Sequence, residues 1–82
     1  MPDNRIGVVG ILVQRSESAR NINAILSEYR EVIVGRMGVP YRERGLSVIS
    51  LIIDGSTDKV GAMTGKLGRL EGVKVKTALL TI

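Results

Sequence analysis

Two short segments, residues 5–14 (RIGVVGILVQ) and 46–54 (LSVISLIID), are almost entirely aliphatic and rich in β-branched side chains. Runs of this length and composition are typical of β-strands, in which successive side chains point to opposite faces of the sheet. Both segments therefore carry apolar side chains on both faces, which predicts that they are the central strands of one sheet. One face would present Val9, Ile11, Val13, Ile49, Leu51 and Ile53, and the other Ile6, Val8, Leu12, Leu46, Val48 and Ile52.

Two amphipathic helices are predicted to connect the strands. Apolar residues recur at intervals of three and four in residues 17–30, and again in the segment before Gly72, which is the spacing of one buried helix face. Ser16 is predicted to cap the first helix, and Ser56 or Thr57 the second, because a hydroxyl oxygen accepts a hydrogen bond from the free N–H groups of a first turn. Gly72 stands where a left-handed residue commonly ends a helix. The predicted buried residues are Ala19, Ile22, Ile25, Leu26 and Tyr29 in the first helix, and Val60, Met63, Leu67 and Leu70 in the second.

Two further strands complete the predicted topology. Residues 31–39 and 73–82 are rich in Val, Ile and Leu, and residues 40–45 form a turn bounded by Pro and Gly that predicts a hairpin. The resulting order β-α-β-β-α-β defines an α+β, ferredoxin-like fold. Right-handed crossovers then place both helices on one face of a four-stranded antiparallel sheet, with strand order 4-1-3-2. We expect one domain over residues 5–82, after a disordered start at residues 1–4.

The second apolar face of the central strands has no predicted cover within the chain. Two helices can cover only one face, and soluble monomers rarely expose a continuous apolar patch of this size. The sequence therefore predicts a homo-oligomer that associates through its sheet, with a dimer or a tetramer as the simplest closed forms.

Composition excludes several kinds of chemistry. The 82 residues contain neither Cys nor His, which removes disulfides, zinc fingers, Ser–His triads and histidine bases. We therefore expect no enzymatic activity, no cofactor and no metal site. The polar start is unlike a signal peptide, and no apolar run approaches the about 18 residues that span a bilayer. A cytoplasmic protein without a membrane partner is expected.

Three glycines form a stripe on the second predicted helix. Gly61, Gly65 and Gly68 are spaced by four and three residues, which places them together and away from the apolar face. Each costs about 1 kcal/mol relative to Ala in a helix interior. We therefore predict that another backbone packs closely against the stripe, from the same chain or from a second subunit. A ligand lying on the helix and simple tolerance of the glycines are the alternatives.

The net charge of +4 suits an anionic partner. Arg36, Arg42 and Arg44, around Tyr41, are a candidate patch for an anion or a partner near the hairpin. A nucleic-acid-binding regulator that uses this Arg-rich hairpin is the alternative function. It is the less favoured one, because RNA-binding sheets of this topology stack bases on exposed aromatic residues, and the predicted strands have none.

Several longer motifs carry a family resemblance. The run GRMGVPYRE at residues 35–43, followed by LSVISLIID and then GKLGRLEGVKVKT, resembles the family of iron-only hydrogenase system regulators, and the similarity extends over residues 5–77. The family is similar in fold to ACT domains and to the C-terminal domain of the nickel-responsive regulator. Those domains associate through their sheets and bind small effectors at subunit interfaces. The nickel-responsive regulator holds its metal with His and Cys, which this chain lacks, so no nickel site is implied.

The resemblance implies a regulatory or effector-sensing module that is linked to the iron-only hydrogenase system and self-associates through its sheet. In ACT domains the effector often contacts the turn between the first strand and the first helix. The matching positions, and hence the implied effector-binding residues, are Gln14, Arg15, Ser16, Glu17 and Ser18. The identity of the effector is not implied.

Overall fold

The two central aliphatic segments pair with each other along their whole length. In the computed structural model, which describes residues 4–80, Val9 lies opposite Leu51 in an antiparallel ladder that runs from Asn4 to Val13. The complete order along the sheet is β2-β3-β1-β4, which confirms the predicted order 4-1-3-2 and the ferredoxin-like fold. The elements are β1 (Asn4–Val13), α1 (Ala19–Glu28), β2 (Ile33–Tyr41), β3 (Leu46–Ser56), α2 (Thr57–Gly68) and β4 (Val73–Leu80).

The core lies between the sheet and the two helices. On the first predicted face five of the six side chains are buried and Ile49 is half-buried. On the other face none is buried: Ile6, Val48 and Ile52 are 38%, 38% and 43% exposed, and the remaining three are half-buried. Removing aliphatic side chains from water on one face is the main favourable contribution to folding. The fully buried core comprises Val9, Ile11, Val13, Ile22, Leu26, Val32, Leu51, Ile53, Val60, Met63, Leu67 and Val73.

The two helices begin differently. At α2, Ser56 is the N-cap and its Oγ accepts a hydrogen bond from the backbone N–H of Lys59 at 3.2 Å, as predicted. The predicted cap at Ser16 is wrong, because Ser16 lies inside a 3₁₀ turn, Ser16–Ser18, that precedes α1 and has no side-chain cap. Ser18 is buried instead, and its Oγ donates to the carbonyl oxygen of Glu71 at 2.8 Å.

Strand β2, the first strand of the hairpin, begins later than predicted. Residues 30–32 form a 3₁₀ turn that buries Val32, so that β2 starts at Ile33 rather than at residue 31. A second 3₁₀ turn, Arg42–Arg44, closes the hairpin, and Gly45 follows in the left-handed region with φ 67°. Gly72 also has a positive φ, of 73°, but the prediction that it ends the second helix is wrong, because α2 ends at Gly68 and is followed by Arg69 in the right-handed region.

The ends of the chain lie partly outside the described residues. Asn4, predicted to be disordered, belongs to β1 and lies opposite Ser56. Residues 1–3, and the last two residues of the predicted strand 73–82, fall outside residues 4–80. Within the described part of the chain, neither helix is long and apolar enough to cross a bilayer.

Two ion pairs connect α2 to the segment around the end of α1. Lys66 Nζ lies 2.8 Å from Glu28 Oε2, and Lys59 Nζ lies 3.2 Å from Glu31 Oε2. Hydrogen bonds to Glu28 and then to Tyr29 raise the pKa of Lys66, while a backbone hydrogen bond at Glu31 and then one from Lys59 lower the pKa of Glu31. The Glu31 contribution to stability is lost as the pH falls through its folded pKa, and the Lys66 contribution as the pH rises through its own. Both pairs are solvent-exposed, so both contributions are small.

The glycine stripe on α2 has no neighbour within the described chain. A Cβ placed on Gly61, Gly65 or Gly68 meets no heavy atom within 4 Å, apart from the helix itself and the adjacent residues. Close packing against another element of the same chain, one of the two predicted causes of the stripe, is therefore wrong among residues 4–80. Packing against a second subunit stays a prediction.

Replacing Gly65 by alanine is expected to stabilise the isolated subunit by about 1 kcal/mol, because the methyl group enters open space and alanine favours the helix. If a second subunit covers the stripe, the same change would weaken association. Urea denaturation at several protein concentrations separates the two effects. A loss of stability in Gly65→Ala that does not depend on protein concentration would contradict both the expected stabilisation of the subunit and the expected effect on association.

Candidate ligand-binding groove

A groove lies where the turn after β1 meets the hairpin end of β2 and β3. It contains two adjoining cavities of about 280 and 320 Å³, which share Val13, Ser16, Pro40 and Ser47. The first cavity continues towards α1 and the second towards the tip of the hairpin. The first is also lined by Ala19, Ile22, Asn23, Arg36, Gly38, Val39 and Ile49, and the second by Gln14, Arg42, Gly45 and Leu46.

A β-bulge in β2 determines which residues of this strand face the groove. Ile33 lies opposite Ile53 on the helix side, and simple alternation would place Gly35 and Met37 on that side as well. The register shifts between Ile33 and Gly35, so that Arg36 lies opposite Leu51 on the helix side. Bulges commonly redirect a side chain in this way. Beyond the bulge, even-numbered residues of β2 therefore face the helices, and odd-numbered residues face the uncovered side.

Small residues keep the first cavity open. Gly38 lies opposite Ile49 on the helix side, and a Cβ built there would contact only the Ile49 Cγ1 atom, at 3.8 Å. Pro40, opposite Ser47, is the next residue of β2 on this side. No atom of Ile22 or Asn23, the α1 residues that line the cavity across from Gly38, lies within 4 Å of that Cβ position, so the space in front of Gly38 is open.

Arg36 provides the positive charge of the first cavity. Its Nη2 donates a hydrogen bond to Asn23 Oδ1 on α1 at 3.2 Å, which holds the guanidinium across the space between β2 and the helix. Arg36 forms no salt bridge with any residue of the described chain. Neither cavity has an Asp or Glu in its lining. The groove is therefore electrostatically suited to a negatively charged group.

The five predicted effector-binding residues separate into two groups. Gln14 and Ser16 line the groove, whereas Arg15, Glu17 and Ser18 do not. Arg15 points towards the start of β4, where its Nη2 lies 3.6 Å from Glu71 Oε2.

The predicted basic patch is also divided. Arg36 and Arg42 line the groove, but Tyr41 and Arg44 do not. Tyr41 lies opposite Leu46 on the uncovered side of the sheet and is 43% exposed. Arg44 is exposed in the 3₁₀ turn at the tip of the hairpin. The fold thus brings together two of the five predicted effector-binding residues, Gln14 and Ser16, with two of the four residues of the basic patch, Arg36 and Arg42.

Several groove residues were not predicted. Asn23 and Gly38 line the first cavity, and neither was among the candidate site residues. The predicted turn at residues 40–45 would pair residue 39 with residue 46, whereas the observed hairpin pairs Tyr41 with Leu46 and so places Ser47 opposite Pro40. The bulge that turns Arg36 and Gly38 towards the helices has no clear signal in the sequence besides Gly35. Among residues 4–80 no group of three or more Asp and Glu side chains is arranged to hold a metal ion.

The fold places the chain in the ferredoxin-like class of α+β domains, and comparison with solved structures agrees. A formyltetrahydrofolate deformylase from Pseudomonas putida KT2440 matches with a TM-score of 0.65 and 10% identity, over 89% of this chain and 28% of that one. CutA from Xylella fastidiosa matches with a TM-score of 0.56 and 17% identity, over 95% of this chain and 86% of that one. At these identities the similarity concerns the fold alone.

A much nearer relative is the uncharacterized protein TM1266 from Thermotoga maritima. Its structure matches with a TM-score of 0.90 and 37% identity, over 95% of this chain and 99% of that one. Residues 5–77 match the TM1266-like family model, described as a proposed iron-only hydrogenase system regulator. The chain therefore belongs to the TM1266-like family, as the resemblance in its sequence predicted. A sequence search of curated proteins finds no match.

Proposed function

We propose that this protein is a non-enzymatic regulatory module that self-associates through the uncovered face of its sheet and senses a small effector in the groove. Membership of the TM1266-like family supports the regulatory role. The observation that carries the assembly is the uncovered face itself, whose central strands are as aliphatic as the buried one.

The uncovered face has the composition expected of an interface core. Ile52 and Val48 from β3 lie opposite Val8 and Leu12 from β1 and form its centre. Fully buried interface cores are depleted in charged residues, and their rims are polar. The charged side chains on this face lie on the edge strand β4 or at the far end of β3: Lys74, Lys76 and Asp54.

Strand β2 extends the same apolar surface to the opposite edge. Met37 and Val39 are 64% and 48% exposed, and Tyr41 continues the row. A face that spans four strands is large enough for a specific interface, which typically buries about 1,200–2,000 Å² in total. A second copy of the chain offers a self-complementary apolar surface, and a two-fold arrangement closes without leaving another face exposed.

Light scattering after size-exclusion chromatography tests the assembly. We expect a mass of at least twice the 8.9 kDa of one chain at micromolar concentration. Ile52→Lys should shift the protein to the monomer, because it places an unpaired charge in the apolar centre. Ala24→Lys, at an exposed position of α1, is the matched control and should leave the mass unchanged. A wild-type monomer under these conditions would contradict the proposal.

The proposed sensing role also predicts that the arginines of the hairpin do not bind nucleic acid. Arg42 and Arg44 on the hairpin form no salt bridge within the described chain, so nucleic-acid binding needs a direct test. We expect no binding of a DNA duplex at physiological salt. Tight binding that falls steeply with salt and is lost in the Arg42→Gln/Arg44→Gln variant would favour a nucleic-acid-binding regulator, since counterion release makes phosphate contacts salt-sensitive.

A further inference from the structure

We infer that the first cavity of the groove binds a small organic carboxylate with an apolar body, with Arg36 as the ligand of the carboxylate. The inference rests on the proposed sensing role, for which it names the chemical class of effector. It depends on the cavity of a single subunit and does not require a particular oligomeric state.

The charge of the cavity selects an anion. A guanidinium is planar and presents several N–H donors in a geometry that fits a carboxylate. Asn23 uses one of these donors and thereby orients the others. Ser16 and Ser47 add two hydroxyl groups to the lining, and hydroxyls can donate to carboxylate oxygens. The lining contains no carboxylate to compete for Arg36.

The remaining walls select an apolar body. Val13, Ile22 and Ile49 form the deeper side of the cavity, and Pro40 forms the side along β2. Hydrophobic burial contributes about 25 cal/mol per Å² of apolar surface removed from water, so an aliphatic group next to the carboxylate should increase affinity. A purely inorganic anion would leave these walls in contact with water.

The size of the cavity limits the ligand. About 280 Å³ lies just below the range of about 300–1,000 Å³ that is typical of small-molecule pockets. The space therefore suits a branched carboxylate of metabolite size better than a nucleotide. The adjoining cavity near Arg42 and Gln14 leaves room for a polar extension of such a molecule.

Gly38 provides a way to close the cavity without disturbing the fold. Its backbone does not lie in the left-handed region, and the nearest neighbour of an added Cβ is at ordinary van der Waals distance. Gly38→Val should therefore be accepted in β2, because β-branched residues suit a strand. Its methyl groups would occupy the space that the apolar part of a ligand needs.

The test is a calorimetric titration with three probes. 4-Methylpentanoate carries both the charge and the apolar body, 4-methylpentanamide lacks the charge, and acetate lacks the apolar body. We expect 4-methylpentanoate to bind at least tenfold more tightly than either of the other two probes. Equal affinity for the acid and the amide would overturn the assignment of Arg36, and equal affinity for acetate would overturn the assignment of the apolar walls.

Variants assign the binding to residues. Arg36→Gln should weaken 4-methylpentanoate at least tenfold and leave the amide unchanged, and Arg36→Lys should restore part of the affinity because it retains the charge. Gly38→Val should abolish binding of both the acid and the amide. Arg44→Gln, which removes an arginine that does not line the groove, is the matched control and should bind like the wild type.

The result separates this inference from the proposed assembly. If light scattering shows a monomer that still binds 4-methylpentanoate through Arg36, the assembly fails and the carboxylate site stands. If the protein is an oligomer that binds none of the probes, or binds them equally well in Gly38→Val, the carboxylate site is overturned and the assembly stands. Thermal denaturation of each variant shows that it is folded before it is titrated.

Discussion

Replacing Leu51 by alanine is expected to destabilise the protein by about 2–5 kcal/mol, the usual range for a buried Leu-to-Ala change. Leu51 has no exposed surface and lies opposite Val9 in the middle of the sheet, facing both helices. A domain of this size has a total stability of only about 5–10 kcal/mol. The substitution should therefore remove a large part of the stability, and thermal and urea denaturation should both report it.

Ile52→Ala is the matched control for Leu51→Ala. The two residues are adjacent in β3 but point to opposite faces, and Ile52 is 43% exposed. In the isolated subunit we expect this change to cost less than about 1 kcal/mol, because the side chain is already partly in contact with water. If the uncovered face is an interface, the cost should increase with protein concentration, since association stabilises the folded state. Equal costs for Leu51→Ala and Ile52→Ala in a monomer would contradict the assignment of the two faces.

Most of the fold could be predicted because its central strands are distinctive. Both faces of these strands carry aliphatic side chains and neither face is polar, so their central position in the sheet follows directly from the sequence. The remaining order of elements then allows few topologies. The cap at Ser56 was predictable from local sequence alone, because its partner is the backbone N–H of Lys59, three residues away.

Errors arose where a contact distant in sequence replaced a local one. Local sequence favoured Ser16 as the cap of the first helix, but a 3₁₀ turn over Ser16–Ser18 delays the start of α1 to Ala19. Ser18 hydrogen-bonds the carbonyl of Glu71 instead, which lies 53 residues away. The prediction of a close neighbour within the chain for the glycine stripe was wrong for a different reason. A pattern within one helix does not reveal whether another element lies against it.

The groove could be predicted only in part. The resemblance to ACT domains pointed to Gln14 and Ser16, and the arginine content of the hairpin pointed to Arg36 and Arg42. That these two sets meet depends on the β2–β3 register, and the position of Arg36 depends on the bulge before it. A shift of one residue would have turned Arg36 to the uncovered face. Periodicity does not fix a bulge, so the shared site emerged only from the structure.

A second large effect is expected at Gly55, where β3 approaches the start of α2. A Cβ at this position would lie 2.6 Å from Val32 Cγ1 and 2.9 Å from Val32 Cβ. Val32 is 3% exposed and branched at Cβ, so it has little freedom to move aside. Where space is available, Gly-to-Ala stabilises by about 0.4–1 kcal/mol through the unfolded chain. Here the overlap reverses the sign, and we expect Gly55→Ala to destabilise by about 3 kcal/mol, the upper end of the usual range for overpacking.

A double-mutant cycle with Val32 tests whether this contact is the cause. Val32→Ala alone should be destabilising because it leaves a cavity, but in the Gly55→Ala background it removes the closest overlapping atom. The double variant should therefore be more stable than the sum of the single changes by at least about 1 kcal/mol, which is within the range of contacting pairs. The overlap should be relieved only in part in the double variant, because the Cβ atom at position 32 remains. Gly38→Ala, whose added Cβ meets its nearest neighbour at 3.8 Å, is the control and should not destabilise. Additive costs for Gly55→Ala and Val32→Ala in urea denaturation would show that Val32 is not what requires a glycine at position 55.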